Sequence, residues 1–366
     1  MKRVILSGGG TGGHIYPAVA VAEALTRILG PEVEILFVGA EGKMEMEKIP
    51  ALGYRIEGLP ISGLQRRLAL SNLALPWRII KSLHKARKVI RDFKPDAVAG
   101  FGGYASAPIL WAAQNAGIPT LLQEQNSYAG VSNRVLARKA RKICVAYEGM
   151  DKFFAADRIT LTGNPLRGNL GQTTTDRSEA LAYYGFTDRL PVLLVVGGSL
   201  GTRTLNNMMK SWVATLDGNA PVQVIWQTGK FYEEEMRRFI TEHPVEGIYQ
   251  CAFIERMDYA YAAADLVISR SGACTVSELC LAGKPVIFVP SPNVSEDHQT
   301  KNANALSNRG AAVTIADSEA VECAMPKALE LISDNEKLGT LSENISKLAI
   351  NDSAERVARE IIKLME

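Results

Sequence analysis

One pattern occurs twice in this chain and constrains the fold more than any other: a short apolar run, a glycine-rich turn and a helical spacing of apolar residues. It appears first in RVILSGGGTGGHIYPAVAVAEAL, residues 3–25, and again in PVLLVVGGSLGTRTLNNM, residues 191–208. A strand that leads through glycines into a helix is the opening unit of a parallel α/β sheet. The sequence therefore predicts an α/β protein with two Rossmann-like domains, each a doubly wound parallel sheet.

Short runs rich in β-branched residues continue the alternation after each opening unit. They predict strands at residues 4–6, 34–38, 97–99, 120–122, 143–146 and 159–161 in the first half, and at 222–227, 266–269 and 286–289 in the second. The polar stretch GNPLRGNLGQTTTDRSE lies between the halves and predicts a linker. We place one domain at residues 1–163 and the other at residues 164–349.

Local signals predict two helix starts. Pro17 favours the first position of the helix that follows the first glycine loop. Residues 350–366 predict an amphipathic helix, with Asp352 and Glu355 in the spacing of a capping box. Such a helix can complete the second domain or cross back to the first.

Charge and cysteine content exclude several classes of protein. The 41 basic and 39 acidic side chains leave a net charge of +2, which argues against a nucleic-acid-binding protein. The five cysteines lack C-x-x-C spacing and the four histidines lie far apart, so we expect a reduced compartment and no metal site. No apolar run approaches the ~20 residues of a membrane-spanning helix. The chain is therefore expected to be cytoplasmic or peripheral to a membrane.

The first glycine loop has the spacing of a dinucleotide site, because Gly8, Gly10 and Gly13 satisfy G-x-G-x-x-G. A site for NAD also needs an acidic residue at the end of the second strand, where it binds the ribose. Gly39 occupies that place and Glu41 lies past it. The sequence therefore disfavours an NAD-dependent dehydrogenase.

Two further glycine loops, at residues 100–103 and 197–201, also follow predicted strands. Such glycines either bring the backbone close to a phosphate or a sugar, or only permit tight turns, and three such loops favour a ligand. In the second half, Thr275 and Glu278 have T-x-x-E spacing, which is typical of a helix capping box. Glu278 also lies at the carboxyl edge of the predicted sheet, where a carboxylate can accept both hydroxyls of a ribose. Both interpretations fit the sequence.

Seven motifs, by their order and spacing, resemble those of the MurG family of peptidoglycan glycosyltransferases, within glycosyltransferase family 28. They are GGTGGHIYP, GFGGYASAP, QEQN, GNPLR, GGSLG, SRSGACTVSE and EDHQTKNA, and the resemblance covers nearly the whole chain. It implies the GT-B fold, with two Rossmann-like domains facing across a cleft and the last helix returning to the first domain. It also implies an inverting transfer of N-acetylglucosamine from UDP-N-acetylglucosamine to the 4-hydroxyl of undecaprenyl-pyrophosphoryl-N-acetylmuramyl-pentapeptide (lipid I), which gives lipid II.

The resemblance assigns contacts with the transferred sugar to residues of three motifs. Thr11, Gly12 and Gly13 would line the sugar and phosphate region, and Asn126 would meet the hydroxyls of N-acetylglucosamine. Gln299 would contact the same donor sugar.

The resemblance also assigns contacts with the nucleotide. Arg167 and Ser199 would hold the diphosphate, and Ile254 would present its backbone to uracil. One run would wrap the nucleotide, with its last residue on the ribose: Ala273, Cys274, Thr275, Val276, Ser277 and Glu278.

The transfer needs a base that takes the proton of the attacking hydroxyl. His14 ends the first glycine loop, and histidine is the residue type whose unperturbed pKa is closest to neutrality, so it is the candidate base. Its alternative role is to bond the neighbouring backbone and fix the loop, and Glu124 is the second candidate base. Arg167 and helix N–H groups, rather than a metal, would neutralise the departing diphosphate, so we expect no metal and no cofactor.

A basic segment lies in the first half, where residues 58–91 contain no acidic side chain. Its cations are Arg66, Arg67, Arg78, Lys81, Lys85, Arg87, Lys88 and Arg91. On a helix that begins near Pro76, several of these cations share one face and apolar side chains occupy the rest. The segment is either an ordinary packed helix with a solvated cationic face or a contact with anionic lipid. We predict that residues 62–91 dock on the cytoplasmic face of the cell membrane.

Two other functions share the fold implied by these motifs. One is a glycosyltransferase that builds another glycolipid, such as a diacylglycerol sugar, and the other is a UDP-N-acetylglucosamine 2-epimerase, which would need no basic membrane segment. The expected partners are UDP-N-acetylglucosamine, lipid I, an anionic membrane surface and proteins of cell-wall synthesis, and no nucleic acid.

Overall fold

The computed structural model describes residues 1–61, 75–166, 175–198 and 200–366. Two compact units divide the chain: unit 1 contains Met1–Gly168 and Asp352–Glu366, and unit 2 contains Asn169–Asn351. Each unit has its own parallel sheet and hydrophobic core, so the two are described separately. None of the helices in the described ranges is long and apolar enough to cross a bilayer.

Unit 1 is built on a parallel sheet with seven strands among its described residues. They are β1 (Lys2–Ser7), β2 (Val33–Ala40), β3 (Arg55–Leu59), β4 (Ala97–Gly100), β5 (Thr120–Glu124), β6 (Lys142–Val145) and β7 (Ile159–Leu161). Their order is β3-β2-β1-β4-β5-β6-β7, so the winding direction reverses between β1 and β4. Ser7, the last residue of β1, pairs with Val38 of β2 and Gly100 of β4. The carboxyl ends of these strands therefore meet at one edge of the sheet.

Helices cover both faces of this sheet. They are α1 (Gly12–Leu29), α2 (Glu45–Ala51), α3 (Leu75–Phe93), α4 (Ser106–Asn115) and α5 (Val131–Leu136). Ile5 of β1 belongs to the core shared with α3, α4 and α5, whereas Val4 and Leu6 belong to the core shared with α1. Successive side chains of a strand point to opposite faces, so β1 is buried on both sides, as in a doubly wound sheet.

Unit 2 repeats the plan with a parallel sheet of six strands among its described residues. They are β8 (Val192–Val196), β9 (Asn219–Gln227), β10 (Glu246–Cys251), β11 (Leu266–Ser269), β12 (Val286–Phe288) and β13 (Val313–Thr314), in the order β10-β9-β8-β11-β12-β13. The helices are α6 (Arg177–Tyr184), α7 (Arg203–Val213), α8 (Glu233–Glu242), α9 (Met257–Ala263), α10 (Ala273–Ala282), α11 (His298–Ser307), α12 (Ala320–Ile332) and α13 (Asn335–Ser346). The winding direction reverses between β8 and β11. The predicted α/β class and parallel sheets are confirmed.

The last helix, α14 (Ser353–Leu364), belongs to unit 1. Val357, Ala358 and Ile361 are fully buried and join the core between α1 and the sheet. The C-terminal residues of the chain therefore complete a core that the N-terminal residues begin.

The predicted capping box at the start of α14 is wrong. The carboxylate of Asp352 accepts a hydrogen bond from Nε of Arg356 at 2.7 Å and caps no backbone N–H. Glu355 pairs with Arg27 of α1 at 3.4 Å. Both acidic residues are thus engaged by arginines, which the spacing of the acids alone does not reveal.

Replacement of Ile361 by alanine is expected to lower the free energy of unfolding by about 2–5 kcal/mol, because it leaves a cavity between α1 and α14. Urea denaturation followed by far-UV circular dichroism measures the change. Arg359→Ala is the matched control on the exposed face of the same helix and is expected to stay within about 0.5 kcal/mol of wild type. Equal effects of the two substitutions would contradict the packing of α14 on α1.

The predicted helix start at Pro17 is also wrong, since α1 begins at Gly12. The carbonyl of Thr11 accepts from the N–H groups of His14 at 3.1 Å and Ile15 at 3.3 Å. The glycine loop itself therefore forms the first turn of the helix.

Candidate functional site

The candidate site of unit 1 lies at the carboxyl ends of β1 and β4, where the winding of the sheet reverses. Open α/β sheets bind ligands at this switch point. The first glycine loop, residues 8–13, follows β1, and the second, residues 101–103, follows β4. Both sequence-predicted loops therefore lie side by side.

His14 is held by the first loop. Its Nδ1 atom lies 3.2 Å from the carbonyl oxygen of Gly9 and 3.1 Å from Oγ1 of Thr11. A carbonyl oxygen can only accept, so the bond to Gly9 places the ring proton on Nδ1 and the basic lone pair on Nε2. The arrangement serves both roles considered for this residue, since one nitrogen fixes the loop and the other can take a proton.

The second loop packs closely on His14. Gly102 and Gly103 have φ angles of +87° and +77°, a region that favours glycine. A Cβ on Gly102 would lie 2.9 Å from Cδ2 and 3.1 Å from Nε2 of His14, and one on Gly103 would overlap the carbonyl oxygen of Gly9. These two glycines are needed for the contact between the loops, whatever ligand the site takes.

The QEQN segment, residues 123–126, contains the last two residues of β5 and the start of the loop after it, and is organised by Glu124. This nearly buried carboxylate accepts from the N–H groups of Asn126 and Gly130 at 3.1 Å each and from Nδ2 of Asn133 at 2.8 Å. Burial raises the pKa of Glu124. Its oxygens are thus used to shape the loop that carries Asn126, which favours His14 over Glu124 as the base. Gln125 connects this loop to the second glycine loop through a 2.6 Å bond from its Nε2 to the carbonyl of Phe101.

Glu45 is a residue of this site that sequence reasoning missed. Its side chain is fully buried and accepts from the N–H of Gly10 at 3.2 Å and from the N–H of Ala40 at 3.0 Å. Gly10 is the middle glycine of the dinucleotide fingerprint, whose backbone N–H groups meet a pyrophosphate in NAD-binding proteins. Here a carboxylate of the protein takes the Gly10 N–H, which gives a physical reason why this loop is unsuited to a dinucleotide.

The candidate site of unit 2 lies at the carboxyl ends of β8 and β11. Thr202 Oγ1 donates to the carbonyl of Gly197 at 2.9 Å, and Nε2 of Gln227 donates to the carbonyl of Gly198 at 2.8 Å. Gly201 has a φ of +80°, and a Cβ there would overlap the carbonyl oxygen of Thr228. The loop after β8 is therefore anchored on both sides. Ser199 within it, like Arg167, lies outside the described residues.

Glu278 lies on α10, which begins at Ala273 directly after the loop that follows β11. Thr275 is the third residue of this helix and Gly272 is its N-cap, so the capping-box interpretation is wrong. The Oε2 atom of Glu278 instead accepts from the hydroxyl of Tyr261 at 3.2 Å. Burial raises the pKa of Glu278 from its ordinary value of 4.5 to about 7. A buried carboxylate with a raised pKa, on the helix that follows the carboxyl end of β11, is typical of a ligand site.

The remaining predicted residues of α10 differ in what they can offer. Val276 is 1% exposed and packs in the interior. Ser277 bonds the carbonyl of Ala273 at 3.1 Å within the helix. Burial raises the pKa of Cys274 to about 12, so its thiol stays protonated and no thiol chemistry is expected there.

Gln299 is the second residue of α11, and Ile254 lies in the loop that follows β10. The side-chain oxygen of Gln299 accepts from the N–H of Ser291 at 2.9 Å, and its backbone carbonyl accepts from Oγ of Ser271 at 2.8 Å. Gln299 is thereby joined to the residues that lead into α10. Ile254 follows β10, and its side chain is buried.

Both halves of the chain match a known family. The Glycosyltransferase family 28 N-terminal domain matches residues 4–145, and the Glycosyltransferase family 28 C-terminal domain matches residues 192–357. A curated protein of Parabacteroides distasonis is 53% identical over 364 residues, which are 100% of this chain and 98% of that protein. It is named UDP-N-acetylglucosamine–N-acetylmuramyl-(pentapeptide) pyrophosphoryl-undecaprenol N-acetylglucosamine transferase.

Solved structures give the same result for the fold. The crystal structure of MurG from Acinetobacter baumannii is 30% identical, has a TM-score of 0.80 and is matched over 99% of this chain and 100% of that chain. The UDP-N-acetylglucosamine 2-epimerase of Neisseria meningitidis, bound to UDP-N-acetylglucosamine, is 16% identical with a TM-score of 0.66, over 99% of this chain and 100% of that chain. At 16% identity, the similarity to the epimerase extends to the fold alone. The fold by itself therefore does not distinguish a transferase from an epimerase.

Proposed function

This chain belongs to glycosyltransferase family 28, and on that premise we propose that it transfers N-acetylglucosamine from UDP-N-acetylglucosamine to lipid I, giving lipid II. The observation that carries this proposal is the identity of 53% along the full chain to a transferase named for that reaction. In the transfer, the 4-hydroxyl of the N-acetylmuramyl unit attacks the anomeric carbon of the donor. The bond from that carbon to the diphosphate breaks, UDP departs and the configuration inverts.

The donor is proposed to bind unit 2. The Glu278 carboxylate, already hydrogen-bonded to Tyr261, supplies the acceptor for the two ribose hydroxyls. The N-terminus of α10 and the anchored loop after β8 supply backbone N–H groups for the diphosphate, together with Arg167 and Ser199. Gln299, at the start of α11, accepts through its backbone carbonyl from Ser271 beside α10 and provides the contact with the donor sugar.

The acceptor and the base are proposed to belong to unit 1. His14, with its ring proton fixed on Nδ1 by the Gly9 carbonyl, takes the proton of the attacking hydroxyl on Nε2. Thr11 at the N-cap of α1, Gly12 and Gly13 in its first turn, and Asn126 in the loop after β5 are proposed to line the transferred N-acetylglucosamine. Departure of UDP is aided by the charge of Arg167 and by the N–H groups of unit 2.

A comparison of acceptors tests the proposed function against its two alternatives. The enzyme is incubated with radiolabelled UDP-N-acetylglucosamine and either a short-chain lipid I analogue, diacylglycerol or no acceptor. We expect label in the lipid fraction with the lipid I analogue alone. Label on diacylglycerol would favour the other glycolipid synthesis, and conversion to UDP-N-acetylmannosamine without an acceptor would favour the epimerase.

The membrane contact is proposed to lie on α3 and its neighbour α4. Trp77, Ile79 and Ile80 at the start of α3 are 61%, 40% and 57% exposed, and Trp111 of α4 is 38% exposed. The cations expected from the sequence accompany them, since Arg87 lies over the ring of Trp111 at 5.2 Å. Exposed aromatic and aliphatic side chains beside cations suit the headgroup region of anionic lipid. We propose that the enzyme is peripheral at the cytoplasmic face of the membrane, and residues 62–74 of the predicted segment lie outside the described residues.

Removal of two of these apolar side chains tests the membrane contact. The double variant Trp77→Ser and Ile80→Ser is expected to weaken binding to phosphatidylglycerol-containing vesicles by about tenfold or more, since each side chain buries apolar area in lipid. The matched control is Val131→Ser with Val135→Ser, because these residues of α5 are 57% and 64% exposed. A flotation assay in which both pairs bind equally would remove α3 as the contact.

A further inference from the structure

We propose that Glu45 is a positioning residue of the transfer reaction, which holds the first glycine loop in the form that presents His14 to substrate. This proposal rests on the proposed function for its kinetic consequence, but its structural consequence can be measured without activity. The carboxylate bridges two elements far apart in sequence. It accepts from the Gly10 N–H of the loop and from the Ala40 N–H at the end of β2.

The position of Glu45 at the first residue of α2 directs its side chain back toward the sheet, where it is fully buried. None of the ion pairs formed by the described residues includes Glu45. A buried carboxylate without a cation is costly unless N–H groups satisfy its oxygens. The two backbone N–H groups meet this need, so the loop and the carboxylate depend on each other.

Two glycines are shaped to admit this side chain. A Cβ on Gly39 would lie 2.6 Å from Cγ of Glu45, and a Cβ on Gly9 would overlap its Oε1 atom. Neither glycine has a positive φ, so their requirement is space and not backbone conformation. Gly39 near the end of β2 therefore leaves space for the Glu45 carboxylate, which comes from α2. An NAD-binding protein has at this place the acidic residue that binds the ribose.

The route from Glu45 to the base is short. Glu45 fixes Gly10, the preceding residue Gly9 presents its carbonyl to Nδ1 of His14, and that bond sets the tautomer of the ring. Tyr104, directly after the second glycine loop, lies close to the same region, because a Cβ on Gly10 would be 3.1 Å from its ring. Burial and, to a smaller extent, the negative charge of Glu45 raise the pKa of Tyr104. Displacement of a catalytic group by about 1 Å can cost about 100-fold in rate.

The substitution Glu45→Gln tests the proposal because it keeps the volume but replaces one acceptor oxygen with a donor amide. We expect kcat to fall about 10- to 100-fold, with the KM for UDP-N-acetylglucosamine within about twofold of wild type, since the donor binds unit 2. We also expect hydrogen exchange at the amide of Gly10, followed by mass spectrometry, to accelerate about tenfold or more as its bond weakens. Glu47→Gln, on the exposed side of the same helix, is the matched control and should change neither.

Both changes together are required by the proposal. The proposal is overturned if turnover slows while Gly10 exchange is unchanged, or if exchange accelerates while kcat is unchanged. It is also overturned if neither quantity changes. If wild-type protein shows no transfer, the proposed function fails, while the exchange measurement still decides whether Glu45 holds the loop.

A second pair of variants guards against a folding defect. Gly39→Ala forces a Cβ against Cγ of Glu45 and is expected to lower kcat, whereas the same change in a Glu45→Ala background meets no such contact. We expect the two substitutions to be non-additive, with Gly39→Ala harmful in the wild-type background and nearly neutral in the Glu45→Ala background. Additive effects would overturn the assigned contact.

Discussion

Replacement of His14 by alanine is expected to lower kcat about 10²- to 10⁴-fold, the range for loss of a general base, while the affinity for UDP-N-acetylglucosamine stays within about twofold. The reason is the division of labour between the units, with the base on unit 1 and the contacts of Glu278 and the N-terminus of α10 with the nucleotide on unit 2. Steady-state kinetics with a lipid I analogue and calorimetric binding of the donor measure the two quantities. His243→Ala, at the exposed end of α8, is the control and should leave both unchanged.

A second substitution separates the two roles of His14. Asparagine can place an amide N–H near the position of Nδ1 and keep the bond to the Gly9 carbonyl, but it has no group equivalent to Nε2. His14→Asn is therefore expected to be as slow as His14→Ala. Activity of His14→Asn near that of wild type would show that the ring supports the loop and that another group takes the proton.

Replacement of Glu278 by glutamine is expected to weaken donor binding about 10- to 100-fold, because hydrogen bonds to a charged acceptor contribute about 1.5–3 kcal/mol each. The wild-type enzyme should also bind the donor more weakly as the pH falls. With a pKa of about 7, Glu278 is ionised at pH 8 and mostly protonated at pH 6, and the protonated form cannot accept both ribose hydroxyls. Affinity should therefore fall about tenfold from pH 8 to pH 6, and Glu278→Gln should show no such dependence.

The same substitution should stabilise the ligand-free protein. The pKa of Glu278 is raised by burial above its ordinary value of 4.5, so the folded state holds this proton more tightly than the unfolded state. The resulting penalty is absent below pH 4.5 and complete above pH 7. Glu278→Gln should raise the melting temperature at pH 8 and not at pH 4.5, with Glu242→Gln on the exposed surface as control.

Wild-type donor affinity that stays level between pH 8 and pH 6 would contradict the role of the Glu278 carboxylate.

The sequence predicted the central strands well and the edges poorly. β1, β4, β8 and β11 are continuous apolar runs because both of their faces are buried. The strands β3, β10 and β13, which the sequence analysis missed, all lie at sheet edges. Partial exposure gives β3 and β10 polar residues, as in RIEGL and EGIYQC, so no apolar run marks them. β13 is only two residues long, Val313–Thr314.

The candidate site was predicted as far as its signals are local. The glycine loops and His14 lie within short motifs that follow a strand, so spacing alone located them. The Glu45 carboxylate accepts from the N–H of Gly10, which is 35 residues away in the chain. The hydroxyl of Tyr261 donates to the Glu278 carboxylate, which is 17 residues away. No local sequence pattern predicts such contacts. Gly39 was the one signal, because it stands at the end of β2 where an NAD-binding protein has the acidic residue that binds the ribose. The T-x-x-E spacing was ambiguous because it does not say which residue begins the helix.

The chain joins N-acetylglucosamine to a lipid-linked muramyl acceptor. The decisive measurement follows UDP-N-acetylglucosamine labelled in the sugar, with a lipid I analogue whose chain is long enough to partition into organic solvent, and determines both the label in the extracted lipid and the configuration of the new linkage by proton NMR. We expect one UDP released for each sugar transferred, and a β-linkage at the 4-hydroxyl. Label that stays in the aqueous phase, or an α-linked product, would contradict the account.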